Sequence, residues 1–268
     1  MSTRNQNDRG AWLQGAGAEC STPLQKQGRA WRLILIGAPG VGKGTQAAML
    51  SEHLRACHLS TGDLFRSALS NNTNQTLAML AALDFMRRGD LVPDDIAWGM
   101  VRERIDCLRC RVGFILDGFP RTLAQADSLK RLMERELLPL DAALNYVVPL
   151  EETVARLSGR RVCESCKTVF HLTARPPMHA GMCDHCRSRL CQREDDRPES
   201  IAVRLEAYDR STAPLIQFYE NLGALATIDA TGSPAEIFSR TMIGLQGRRI
   251  NDESRGTTAR IAEATAGS

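Results

Sequence analysis

No run of apolar residues in the 268-residue chain approaches the roughly 20 needed to cross a bilayer, so no transmembrane span and no membrane partner are expected. An excess of one charge is also missing. Lys and Arg number 34 against 31 Asp and Glu, too even a balance for a general nucleic-acid binder, so any positive patch has to be local. Residues 1–29 lack the apolar central stretch of a secretory signal. Their Ser, Gln, Asn, Gly and scattered charges predict a disordered extension over 1–30, with a transit peptide or a misassigned start codon as the other two readings. Residues 247–268 are polar and nearly without aliphatic side chains, which predicts a second unpacked tail. Nine cysteines without a signal sequence point to a reducing, cytoplasmic compartment, where paired cysteines bind metal or do redox chemistry instead of forming disulfides.

What remains is ordinary globular composition. With 43% hydrophobic and 24% charged residues, the chain has enough length for one sizeable core and for lobes inserted into it. Short aliphatic runs at 32–36, 57–60, 113–117, 143–148 and 224–229 alternate with helical periodicity, for example at 45–55, 123–137 and 201–219. That alternation predicts a doubly wound α/β fold, a parallel sheet joined by crossover helices. Two stretches break it: a helix-rich segment at 60–92 and a Cys-, Pro- and His-rich segment at 159–196. Both are expected over the carboxyl edge of the sheet, where such folds bind ligands.

The first strand runs into GAPGVGKGT at 37–45 and then into a helix. Gly37, Gly40 and Gly42 let successive backbone N–H groups turn into one cavity at a helix N-terminus, an anion nest. Lys43 adds a mobile positive charge for β and γ phosphates. Strand, glycines, lysine and helix together specify a P-loop. One departure is present: Gly44 follows the lysine, and the hydroxyl that usually stands there is displaced to Thr45.

The GKGT variant, followed by LSTGDLFR at 59–66, LVPDD at 91–95 and LDGFPRT at 116–122, resembles the adenylate kinase family, specifically the long-lid bacterial type with a zinc-binding lid. The resemblance covers about residues 31–246, with the motifs in order and at the right separations. It implies a P-loop NTPase-type core (31–59, 93–158, 197–246), an NMP-binding lobe (60–92) and a zinc lid (159–196). It also implies reversible transfer of a phosphoryl group from MgATP to AMP, giving two ADP, by a monomer serving adenine nucleotide homeostasis.

Several residues can be read physically beside it. Arg66 is a fork-shaped donor suited to a second phosphate, and Thr61 offers a hydroxyl where the family reads the adenine of AMP. Asp117 ends a strand at the sheet's carboxyl edge, where a carboxylate can hold Mg²⁺ through water. Arg121 and Gln125 lie four apart on one helix face. By resemblance Arg121 grips the AMP phosphate and Gln125 bonds its adenine, while Asp90, Leu91, Val92, Gly118, Phe119 and Pro120 complete the AMP site. Gly40, Val41, Gly42, Lys43, Gly44 and Thr45 hold ATP.

Arg156 and Arg160, one helical turn apart, together with Arg193, Arg204, Asp195 and Asp196 suggest a hinged cluster that assembles around phosphates. The resemblance puts Arg156 and Arg160 on the ATP side, Arg193 and Arg204 on the AMP side, and the two aspartates as partners that orient the lid. It adds Gly232, through its carbonyl, and Val169 with Phe170 as contacts of the ATP adenine. Lys43, Arg121, Arg160, Arg193 and Arg204 are the implied catalytic set.

Cys163, Cys166, Cys183 and Cys186 form two Cys-x-x-Cys knuckles separated by 16 residues, the spacing of a closed tetrahedral zinc site with no open position for substrate. Iron would fit the same four sulfurs. His171, His179, His185 and Cys191 compete for ligation but lack the knuckle spacing, and Cys107 and Cys110 read as structural. Two rival functions stay open at this point: a kinase of another nucleoside monophosphate, and a non-catalytic nucleotide-binding or zinc-ribbon module.

Overall fold

The computed structural model describes Trp12, residues 30–68, Ala82, Phe85, Arg88 and residues 90–247, with the backbone alone at 65–68. The expectations for 247–268, for most of 1–30 and for much of 60–92 lie outside these residues.

Five parallel strands form the central sheet: β1 (Trp31–Ile36), β2 (Cys57–Ser60), β3 (Gly113–Asp117), β4 (Ala142–Val147) and β8 (Leu225–Asp229). Their spatial order is β2-β3-β1-β4-β8. Each expected aliphatic run is one of these strands, with ends shifted by no more than a residue. The reason lies in burial on both faces. Alternate residues of one strand point to opposite sides, so Ile34 and Ile36 join one apolar cluster with Leu59, Phe114 and Leu116. Leu33 and Leu35 join the other, with Ile115, Leu144, Tyr146 and Ile228.

Helices cover both faces: α1 (Lys43–Leu54), α2 (Thr61–Ala68), α3 (Asp94–Arg102), α4 (Ile105–Leu108), α5 (Leu123–Arg135), α6 (Leu150–Gly159), α7 (Pro198–Ala207), α8 (Leu215–Asn221) and α9 at 234–247. From the central strand β1 the chain steps outward to β2 on one side, returns through β3, and then crosses to β4 and β8 on the other. Such a reversal opens a crevice at the carboxyl ends of the strands.

Two expectations about helices change. The single helix expected over 201–219 is divided: α7 ends at Ala207, a wide turn spans Tyr208–Thr212, and α8 begins at Leu215. Pro214 has no N–H to give, and its ring would collide with the carbonyl four residues back, so the ladder opens to an Ala213 N–H bond on the Tyr208 carbonyl at 2.9 Å. Secondly, α6 stops at Gly159, and Arg160 already has extended backbone and begins a strand. Arg156 and Arg160 therefore do not share a helix face.

That strand, β5 (Arg160–Cys163), is the middle of a small antiparallel sheet with β6 (Val169–His171) and β7 (Leu190–Cys191). Its own buried cluster is Cys163, Phe170, Cys183 and Leu190. Four side chains are far too small a core to hold a fold without a staple.

Trp12 departs from the disordered extension expected over 1–30. Its side chain is 2% exposed within the larger apolar cluster, because an indole finds both an apolar pocket and a partner for its N–H there.

Candidate active site

The turn between β1 and α1 is built on glycine geometry. Gly40 and Gly42 have φ of 89° and 97°, which only glycine adopts without strain, and a Cβ on Gly40 would stand 2.7 Å from Leu157 Cγ and 2.9 Å from the Thr153 carbonyl. The loop thus presses its backbone against α6. Lys43, the first residue of α1, folds back and donates from Nζ to the carbonyls of Gly37 at 2.6 Å and Ala38 at 2.8 Å. Burial pushes its pKa down from the ordinary lysine value of 10.5 to about 7; Asp117 opposes that shift, while Arg121, Arg204 and Arg160 reinforce it.

Asp117 closes β3 beside the loop. A Cβ on Gly44 would lie 3.5 Å from Asp117 Oδ2, so the glycine that replaces the usual hydroxyl residue leaves room next to this carboxylate. Burial raises the Asp117 pKa, but the hydrogen bond from His58 and the charges of His58 and Lys43 outweigh it, and the net direction is downward. His58 Nε2, on a buried side chain, lies 3.2 Å from Oδ2 of the half-buried Asp117. An ionised carboxylate at this edge is a fitting donor for a hydrated divalent cation, as expected of Asp117.

On the β2–β3 side, Thr61 Oγ1 donates to the Gly118 carbonyl at 2.9 Å, and Arg121 Nε donates to the same oxygen at 2.9 Å. The peptide between Phe119 and Pro120 is cis, and the Phe119 ring stacks on Trp98 at 6.0 Å. Gln125 is buried. Its Oε1 accepts from the Arg121 N–H at 2.8 Å and its Nε2 donates to Asp94 Oδ1 at 2.7 Å, leaving one hydrogen and one lone pair for anything else. Thr122 caps α5, accepting from the Gln125 N–H at 3.2 Å, and donates to Asp94. Val92 is buried, and Asp90 is tied by its N–H to the Phe85 carbonyl at 2.9 Å. The Arg66 side chain lies outside the described residues.

On the other side of the loop, Arg156 donates to the Val41 carbonyl at 3.2 Å and to the Ala230 carbonyl at 2.8 Å, and pairs with Glu152. It connects the P-loop to the turn after β8, where Gly232 has φ of 89°. Arg160 grips the fully buried Asp196 with Nε at 2.7 Å and a second bond from its terminal nitrogen. Arg204 reaches the same carboxylate at 3.1 Å and Asp195 Oδ2 at 3.0 Å. Arg193 stands just before the short turn that carries both aspartates. Of the expected arginine cluster, Arg160 and Arg204 meet on Asp196, while Arg156 bonds the P-loop and the turn after β8.

In the outer sheet the four knuckle sulfurs lie within 4.8 Å of one another, with Cys163 to Cys186 at 3.3 Å and Cys166 to Cys183 at 3.5 Å. A tetrahedron with metal–sulfur bonds of about 2.3 Å has edges of roughly 3.8 Å, so the set fits a tetrathiolate centre. Lys167 and Arg187 follow the two knuckles with matching φ of 59° and 61°. His171 is not a competitor, because its Nδ1 accepts from the Thr173 and Ala174 N–H groups at 3.2 and 3.1 Å. Phe170 differs from expectation. Its ring is 2% exposed in the knuckle core, so any adenine contact here falls to the exposed Val169 or to backbone.

The adenylate kinase family model matches residues 35–224. The chain belongs to the adenylate kinase family. Relatives of that name include those of Carboxydothermus hydrogenoformans, 44% identical over 80% of this chain and 99% of the relative, and Streptomyces coelicolor, 45% identical over 80% and 98%. That of Acidothermus cellulolyticus is 46% identical over the same shares, 80% and 98%. The family consists of phosphotransferases of the nucleoside monophosphate kinase type, and a shared acidic and basic lining around a P-loop suits that chemistry. His58, Asp94 and Trp12 were not foreseen. His58 and Asp94 could have been found inside the quoted motifs, as polar side chains within segments destined for burial; Trp12 stands in a polar stretch that carries no such signal.

A family member with Lys43 near neutrality should take up a proton when a nucleoside triphosphate binds. Polyphosphate returns the lysine toward its ordinary value, so between about pH 7 and 10 the bound state holds more protons and affinity weakens as pH rises. Calorimetry at pH 8 in two buffers of different ionisation enthalpy should show uptake close to one proton, absent in Lys43→Met. Equal uptake in both proteins would contradict this.

Proposed function

We propose that the chain transfers the terminal phosphoryl group of MgATP reversibly to AMP, producing two ADP. The observation that carries the reading is the glycine loop with Lys43 folded onto it next to Asp117, together with Arg160 and Arg204 gathered on the buried Asp196. Neither a hydroxyl nucleophile nor a base has to be activated, since the attacking phosphate oxygen is already ionised at neutral pH. Positioning and charge stabilisation then supply the catalysis.

The P-loop amides of Gly40 to Thr45 receive the β and γ phosphates, and Lys43 exchanges its two loop carbonyls for phosphate oxygens. Mg²⁺ neutralises charge between the β and γ phosphates when bound with ATP. Asp117, kept ionised by His58 and Lys43, holds the cation's water shell. Arg156 fixes the ATP side by bonding the P-loop to the turn that ends in Gly232, whose carbonyl together with Val169 meets the adenine. Thr61, Arg66, Asp90, Leu91, Val92, Gly118, Phe119, Pro120, Arg121 and Gln125 take AMP. Arg193 and Arg204 stand on its phosphate, and Arg160 spans both nucleotides.

The lobe at 60–92 and the lid at 159–196 close over the pair and exclude water, the competing acceptor. Asp196 serves as the hinge latch, since it holds Arg160 at the start of the lid and Arg204 in the core. The four cysteines bind one zinc ion that fastens the lid. The protein acts as a monomer in a reducing, cytoplasmic setting, the reading that its cysteine content supports.

An assay of ADP formation with AMP, CMP, UMP and GMP should favour AMP by at least about tenfold, and Lys43→Ala should lower turnover by about 100-fold or more. Comparable turnover of CMP, or an unaffected Lys43→Ala enzyme, would overturn the reading. For the lid, metal analysis should find one zinc per chain. Replacing Cys163 and Cys166 by Ser should lower Tm by several degrees yet leave appreciable activity in the cold, because a closed site couples metal affinity to folding. Complete loss of turnover in a folded variant would contradict a purely structural metal.

A further inference from the structure

We infer that Trp12, which precedes the family-matched region 35–224, is a positioning residue for the nucleoside monophosphate site. The inference rests on the reading above that Thr61, Gly118 and Arg121 take AMP.

Trp12 is held by two polar contacts of opposite sense. Its Nε1 donates to the Ser60 carbonyl at 3.0 Å, and its own carbonyl accepts from Arg104 Nε at 2.6 Å. The side chain is 2% exposed and Arg104 4% exposed. Arg104 also donates to the Met100 carbonyl at 3.0 Å and to Glu103 at 3.1 Å, so Trp12 supplies the partner of its remaining buried Nε. Losing that partner would leave part of a guanidinium desolvated and unbonded, which is costly. Trp12 therefore has a built receptor in the core.

The receptor sits at the root of the lobe. Ser60 is the last residue of β2, and its Oγ accepts from the Asp63 N–H at 3.1 Å, capping α2. The next residue, Thr61, donates to the Gly118 carbonyl that Arg121 also uses. Leu64 and Ala82 from within the lobe and Val92 at its exit share the apolar cluster that encloses the indole. Withdrawing Trp12 would open a cavity between lobe and core and release Ser60, shifting Thr61 and the Gly118 carbonyl. Val41 of the P-loop packs in the other apolar cluster, with Leu33 and Leu35.

Trp12→Ala should raise KM for AMP about fivefold while KM for ATP stays within about twofold, and Trp12→Phe, which refills most of the cavity, should recover most of the loss. A role in stability alone would lower Tm without separating the two constants. Where Trp12→Ala does not fold, Trp12→Leu takes its place. The difference in fluorescence between wild type and Trp12→Phe isolates this indole: it should be blue-shifted and shielded from acrylamide. Unchanged KM for AMP, or equal rises in both constants, in a folded variant would overturn the positioning role. Emission typical of an indole in water would overturn the docking itself. Wild-type protein with a shielded Trp12 but no transfer to AMP would instead contradict the proposed function.

Discussion

Two carboxylates anchor the positive charge at the carboxyl edge of one parallel sheet. Asp117 lies beside the loop that carries Lys43, while the buried Asp196 binds Arg160 and Arg204. Like charges this close repel strongly in a low-dielectric cavity, and the arrangement is complete only when a polyphosphate enters. Burial lowers the pKa of Lys43, and the arginines add to that shift. The fold explains how it is tolerated. The sheet's reversal of strand order opens the crevice, the glycine loop supplies N–H groups without side chains, and His58 keeps Asp117 ionised from a position buried in β2.

The same constraint gives the outer segments their purpose. Water competes with a nucleotide phosphate as acceptor of the phosphoryl group, so efficient transfer to a nucleotide calls for its exclusion. The small outer sheet is chained to the cluster through Arg160, which begins β5 while gripping Asp196 in the core-side turn. A four-residue core cannot keep such a sheet rigid, and the four convergent sulfurs are the natural remedy. In the proposed function the segment CESCKTVFHLTARPPMHAGMCDHC serves the site mechanically and not chemically. Trp12 plays a comparable part on the opposite side, at the root of the lobe around Thr61.

Much of this was legible in the sequence because the signals were local. Strands buried on both faces read as uninterrupted aliphatic runs, and the P-loop demands glycine at positions where φ is positive. The knuckles repeat with one spacing. What was not legible depends on tertiary choice. Arg160 looked like a helical neighbour of Arg156, since nothing local announces that α6 gives way to a strand at Gly159. Pro214 was visible, yet its break in the 201–219 helix yields to periodicity when read by pattern alone. Phe170 looked like an adenine contact but fills the knuckle core, because four cysteines need at least one large apolar neighbour. Trp12 was hidden by its polar surroundings; its pocket is assembled from residues 48 and 92 positions away.

The central claim is that the charge cluster directs a phosphoryl group to a nucleotide phosphate and away from water. Incubating γ-labelled ATP with AMP and following the label tests it most directly. The account predicts that label passes from ATP into ADP until the reversible reaction reaches equilibrium, with negligible inorganic phosphate. Label released mainly as inorganic phosphate, or no label in ADP while AMP is present, would contradict it.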